Sequence, residues 1–168
     1  MSLLISALAA RCVPFAFLAT MTLLGASGNP VLEVSQTRTI SGSPAAVWAV
    51  IGEFCDIRRW HRQARACALF HDEGQIVRSI DLRDIGTVVE VQLDRDEDAM
   101  TYSYTLVRSP WPVKQYRASL TVTPMGQGTV VVWRATFRLN DACDEGAVAR
   151  IEDLFRSGLA DVAREVTR

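Results

Sequence analysis

The spacing of apolar and polar residues changes period three times along this chain, and each change marks an element. Glu33 to Ile40 is rich in β-branched residues with only weak alternation, which predicts a strand at a sheet edge. Ser41-Gly42-Ser43-Pro44 ends it. Ser43 as N-cap and Pro44 in the first helical position predict a short helix from Pro44 to Gly52, with Val47, Trp48 and Ile51 on one face. After Phe54-Cys55, Asp56 is placed to cap a second short helix running through Trp60 to Gln63.

The period then drops to two. Ile76, Arg78, Ile80 and Leu82 share one face of a strand, as do Val89, Val91 and Leu93; Tyr102, Tyr104 and Leu106; Tyr116, Ala118, Leu120 and Val122; and Val131, Trp133, Ala135, Phe137 and Leu139. Turn residues separate them at Asp72-Glu73-Gly74, Asp84-Ile85-Gly86, Asp94 to Asp98 and Met125-Gly126-Gln127-Gly128, so consecutive antiparallel hairpins are expected. From Asp144, a plausible cap, to Val166 the period is helical: Val148, Ile151, Leu154, Phe155, Leu159, Val162 and Val166 form the apolar stripe. Arg150, Glu152, Arg156, Asp161 and Glu165 take the other faces of a helix roughly 33 Å long.

This order describes an α+β fold, a curved antiparallel sheet wrapped around a long C-terminal helix with two short helices after the first strand. It excludes a doubly wound parallel sheet, which needs helical crossovers between strands. A sheet gripping one helix encloses a cavity. Gly158, in the apolar stretch of the helix, costs about 1 kcal/mol against Ala, so it signals either close packing or a bend over that cavity, unless it has no role.

Composition narrows the picture. The 168 residues are 49% hydrophobic, enough for one domain with its own core. With 18 basic and 19 acidic residues interspersed and a net charge of −1, no sustained field is available for nucleic acid or an anionic membrane. Residues 1–28 differ: one charge, Arg11, precedes an apolar run from Cys12 to Leu24, and Gly25-Ala26-Ser27-Gly28 follows. This predicts a secretory signal peptide cut ahead of Asn29, leaving a domain over 29–168, exported to the periplasm and with no stable membrane span after processing. An uncleaved anchor and a start codon upstream of a cytoplasmic protein are the alternatives.

Three cysteines follow that segment: Cys55, Cys67 and Cys143. Their spacing fits no zinc pattern with His61 and His71, and neither a metal nor a cofactor is expected. A Cys55–Cys67 disulfide is one reading; three small, semi-buried apolar residues is the preferred one.

Four stretches resemble a known family. Ser43 to Phe54 is similar to an "SPAxVWxxIGDF" opening, and Trp60-His61 to a "WHP" element in which Arg62 stands where proline is usual. Val77 to Leu82 with Gly86 to Glu90 resembles a "VRxLxL…GGTVVE" hairpin, and Pro110 to Ala118 with Val132 to Phe137 a "PLPVxNYRA…VxWxATF" pair. Their order resembles the START-like, Bet v 1-type helix-grip proteins, in particular the polyketide cyclase/dehydrase-like SRPBCC group, including exported MxaD-type proteins linked to methanol oxidation. The resemblance implies a cavity between sheet and helix for lipids, hormones, polyketides or similar apolar molecules. It does not imply catalysis, because function on a shared fold resides in the site residues.

The candidate residues are accordingly weighed one by one. No catalytic residue is assigned. His61 is the weak candidate, as acid, base or donor to a ligand carbonyl, against a histidine that caps the short helix or satisfies a core carbonyl. Arg78 falls in register with apolar neighbours, and Glu90 is its possible partner, in a structural pair or one that anchors a ligand; simple exposure is the third reading. Trp60, Ile80, Val91, Tyr102, Tyr104, Tyr116, Ala118, Trp133 and Leu154 are the expected lining, the aromatic ones being equally explicable as core. Pro110-Trp111-Pro112 reads as a gate or a bend between strands. A carrier or sensor of a hydrophobic small molecule is the leading expectation. An aromatase/cyclase using His61 or Arg78 to polarise a carbonyl is the second, and an assembly factor for a periplasmic dehydrogenase, with a protein partner, the third.

Overall fold

Ser43 accepts a hydrogen bond at its Oγ from the backbone N–H of Ala46 (3.2 Å), and Pro44 opens the first helix as its spacing required. The computed structural model describes residues 29–140 and 145–168, so the expected export segment, Cys143 and the expected cap Asp144 lie outside the described residues. The elements are β1 (Leu32–Ile40), α1 (Pro44–Ile51), α2 (Ile57–Trp60), β2 (Ala64–Asp72), β3 (Gln75–Leu82), β4 (Gly86–Asp96), β5 (Thr101–Arg108), β6 (Val113–Met125), β7 (Gly128–Leu139) and α3 (Glu145–Val166).

The strands form one unclosed seven-stranded antiparallel sheet in the order β1-β7-β6-β5-β4-β3-β2. Hairpins link β2 through β7, and β1 returns to pair with β7 from Leu32↔Phe137 to Ile40↔Thr129. The curved sheet carries α3 on its concave side with α1 and α2 beside it, the helix-grip arrangement. The apolar stripe of α3 supplies Ile151, Leu154, Phe155, Leu159 and Val162 to the core, each at most 5% exposed.

Four features of the elements and their facing depart from the sequence reading. The first is β2, which was not anticipated. Its small residues Ala64, Ala66 and Ala68 and its adjacent Leu69-Phe70 show no alternation, and as an edge strand it buries one face poorly. Second, Asp56 precedes α2 without a side-chain cap, its carboxylate going instead to Arg59 (3.2 Å), and α2 ends at Trp60. Third, the acidic run expected as a turn is strand as far as Asp96, with Arg95 opposite Tyr102; the turn falls at 97–100.

The fourth concerns the facing of β4. Arg78 pairs with Glu90 and Ile80 with Val88 on the concave face, whereas Val77 pairs with Val91 on the other. Val91 is buried, but against the outer face rather than in the cavity lining expected for it, and Leu93 falls in a bulge at 39% exposure. The strand is apolar on both sides at Val88, Val89 and Val91, so parity alone could not orient it. The charge opposite decides: Glu90 turns inward because Arg78 is there to neutralise it.

The hairpins use the expected chemistry. Glu73 and Gly74 both have positive φ (47° and 81°) in a two-residue connection, the backbone twist that suits a tight antiparallel turn. Cys55 and Cys67 form a disulfide, which corrects the preference for unpaired apolar cysteines. It ties the α1–α2 connection to β2 and closes a loop containing Trp60 and His61, residues that sequence separation alone could not bring to it.

Candidate functional site

The concave face carries a polar cluster inside apolar walls. Arg78 (1% exposed) donates from Nε to Glu90 Oε2 at 2.5 Å and from Nη1 to the Phe54 carbonyl. Its guanidinium also lies 3.9 Å above the Phe54 ring and 4.9 Å from that of Tyr104. The Arg78–Glu90 pair, one of the readings the sequence left open, is present, while Phe54, which clamps the cation from above, gave no signal beyond its apolarity. Burial alone would pull the guanidinium down, but Glu90, Tyr102 and Tyr104 outweigh it and hold the cation firmly charged. Burial pushes the Glu90 carboxyl above its ordinary range, and Arg78 opposes this; beside a permanent cation we take Glu90 as ionised at neutral pH.

Tyrosines extend the cluster across the sheet. Phe54, Tyr102, Tyr104, Tyr116 and Phe137 form a ladder of rings with successive centroids 5.8–6.3 Å apart. Alternation on β5 and β6 puts these tyrosines inward, and each is at most 3% exposed. Burial raises all three phenols, that of Tyr104 the more because Tyr116 and Glu90 are near. The Tyr104 hydroxyl accepts from Trp133 Nε1 at 2.9 Å. Trp133 in turn stacks on Phe155 of α3 with centroids 4.3 Å apart and planes 10° from parallel. Ala118, beside Tyr104 in register, and Ile80 complete the wall.

His61 belongs to a second cluster, between α2 and α3. Its backbone N–H closes α2 on Ile57 O, and its ring is 1% exposed or less. The Gln63 N–H donates to Nδ1 at 3.3 Å, so Nε2 carries the proton and donates to Leu154 O at 3.2 Å. Burial lowers its pKa from 6.5 to about 4, against the opposing pull of Asp161, whose Oδ2 lies 4.0 Å from Nδ1. The ring is therefore neutral at physiological pH with both nitrogens engaged. Trp60 packs edge-on to Trp133 (5.7 Å) on the same side.

Gly158 is explained here. A Cβ on it would lie 2.7 Å from Trp133 Cζ3 and 2.9 Å from His61 Cδ2 and Nε2. Close packing, not a bend over a void, requires the glycine. Asp161, assigned by periodicity to the outer faces, is 5% exposed and faces α2, where the Arg62 N–H donates to it at 3.0 Å. The spacing Leu154, Gly158, Asp161 was the available signal: i, i+4 and i+7 on one stripe, a gap and a carboxylate answering the His61 corner. Trp111, in the loop between β5 and β6, is buried, at 7% exposure.

Taken together, these features define a helix-grip protein with a charged and phenolic cluster inside its apolar concave face. The chain belongs to the family described as polyketide cyclase/dehydrase and lipid transport, which it matches over residues 31–167. It is similar to XoxI of Bacillus cereus, at 25% identity and a TM-score of 0.72, covering 80% of this chain and 95% of that one. A Thermobifida fusca protein is 27% identical with a TM-score of 0.68, over 80% and 92% of the two chains. The Zhui aromatase/cyclase of a Streptomyces species shares the fold at 16% identity, with a TM-score of 0.69 over 83% and 95%. No curated protein matches.

Proposed function

We propose that this protein holds a hydrophobic small molecule on the concave side of its sheet and acts as a carrier or sensor after export, without transforming it. The observation that carries this reading is the buried Arg78–Glu90 pair among Tyr102, Tyr104 and Tyr116, because an apolar interior with a few convergent polar groups is the make-up of a small-molecule site. Arg78 and the phenols would orient a carbonyl or hydroxyl while the aromatic ladder contacts the apolar body.

Binding is favoured over cyclisation by the state of the candidate chemistry. General acid–base work needs a group that exchanges protons near the operating pH, and His61 is neutral down to about 4 with both nitrogens bonded to backbone. Arg78 has N–H donors beyond those held by Glu90 and Phe54 O, but as a permanent cation it cannot exchange a proton. The Cys55–Cys67 disulfide supports export, since such bonds persist in oxidising compartments.

Native mass spectrometry of protein purified from its own host tests both parts at once. A mature chain beginning near Asn29 with a co-purified apolar molecule is expected. Intact Met1 in the soluble cytoplasmic fraction would refute export. Failure of a broad panel of neutral apolar ligands to change indole fluorescence would refute the binding reading.

A further inference from the structure

The sheet is unclosed, and its two edges differ. α3 packs against β1, whereas past Ala64 no backbone group among the described residues bonds to β2 from its outer side. The two-residue turn at Glu73-Gly74 makes Asp72 and Gln75 a hydrogen-bonded pair, so alternation points the N–H and C=O groups of Cys67, Leu69 and His71 away from β3. Natural sheet edges are guarded by charge, proline or a bulge. A bulge between Ala64 and Ala66 interrupts one end of this edge, but Ala66-Cys67-Ala68-Leu69-Phe70 holds neither charge nor proline. Leu69 and Phe70, 51% and 43% exposed, leave apolar surface on both of its faces.

The free stretch is self-complementary. From the bulge to the turn it runs from Ala66 to Asp72, and its midpoint is Leu69. Two copies related by a two-fold axis at that midpoint pair antiparallel, Leu69 with Leu69, Ala68 with Phe70, Cys67 with His71 and Ala66 with Asp72. In this register the outward backbone groups of Cys67, Leu69 and His71 meet one another, which gives about six hydrogen bonds between the copies. Each Phe70 lies across from the small Ala68 of the partner copy, on the face it shares with the buried Val77. A second observation, independent of the midpoint, selects the same register. It brings Arg65 of one copy beside Glu73 of the partner copy at both ends; both side chains are exposed, and neither has a hydrogen bond or ion pair among the described residues.

We propose that β2 is a docking edge for a second copy of this chain, joining two seven-stranded sheets into one across a two-fold axis at Leu69. A second copy fits better than an unrelated strand because the charges, the large and small side chains and the outward backbone groups of this stretch all match the same stretch reversed. Pairing of this kind closes on itself, so the product is a dimer and not a fibre. The interface is one strand wide and belongs to the weak, exchanging class, so the dimer forms and separates with concentration. It stands whether or not the concave face binds an apolar ligand.

Sedimentation velocity of the protein purified from its own host, over a wide range of concentration, tests the dimer, and amide hydrogen exchange tests the pairing. A reversible monomer–dimer equilibrium is expected, with the Leu69 and His71 N–H groups exchanging more slowly as dimer accumulates. Leu69→Lys replaces an apolar contact on the axis with two facing like charges at a half-exposed position, and should weaken the dimer about tenfold. Arg65→Glu and Glu73→Arg, both at exposed positions, should each weaken it about fivefold at low salt, and the two together should restore it. The proposal is overturned by a protein that stays monomeric throughout, by a dimer that Leu69→Lys leaves intact, by a charge exchange that restores nothing, or by exchange at Leu69 and His71 that ignores concentration.

Discussion

Gly158→Ala should destabilise this protein although alanine is the better helix former. On propensity alone the change would stabilise α3 by about 1 kcal/mol. The new methyl, however, would sit 2.7 Å from Trp133 Cζ3 and 2.9 Å from two atoms of the His61 ring, closer than carbon atoms pack. Neither ring can yield easily. Trp133 is fixed by its bond to Tyr104 and its stack on Phe155, and His61 by Leu154 O and the Gln63 N–H. Overpacking of a filled core costs about 1–3 kcal/mol, and a strained or broken His61–Leu154 hydrogen bond adds about 1 kcal/mol. Against the propensity gain, the net loss is about 2 kcal/mol, which for a domain of this size lowers Tm by roughly 6–10 °C. Urea unfolding with an unchanged m-value measures it directly. Gly146→Ala, on an exposed position of the same helix, is the control and should be neutral or slightly stabilising. A Gly158→Ala protein as stable as the parent would show that sheet and helix do not meet as described.

Three further outcomes are expected. His61 has a folded pKa of about 4 against 6.5 unfolded, so its contribution is complete above 6.5 and is lost as pH falls towards 4, a decline of about 3 kcal/mol at 1.36 kcal/mol per unit; denaturation midpoints of His61→Gln should be flatter over that window, and an identical profile would refute the buried neutral ring. Arg78→Met should cost about 3–5 kcal/mol by leaving the buried Glu90 unpaired, while Arg78→Met with Glu90→Leu should recover much of it; chemical denaturation of the two variants decides, and a single variant matching the parent would show the pair is not desolvated. Reducing the Cys55–Cys67 bond should lower stability by about 3 kcal/mol from the entropy of its short loop, and should leave a Cys55→Ser, Cys67→Ser protein unaffected; thermal melts with and without reductant distinguish the two.

The elements with strong local signals were legible in the chain. Ser43-Pro44 placed α1, the period-two runs placed β3 through β7, and the stripe from Ile151 to Val162 placed α3. Each follows from a rule acting within a few residues: a cap, a turn, or alternation. That Arg78 calls for a partner if it faces inward was readable for a related reason, since a charge in an apolar register must be paired. The edge strand β2 was not, because a strand whose faces are mostly solvated need not alternate.

What the tertiary structure alone decided depends on neighbours distant in sequence. Val91 and Glu90 compete for the inside of β4 on equal local terms, and only Arg78 across the sheet settles which side wins. Asp161 reads as a surface residue until Arg62 and His61, about a hundred positions earlier, arrive beside it. Gly158 is a weak helix residue until two rings, His61 just after α2 and Trp133 of β7, press on it. Periodicity and capping are properties of the chain, whereas desolvation, facing and close approach belong to pairs of surfaces, and those surfaces meet only once the sheet has curved around its helix.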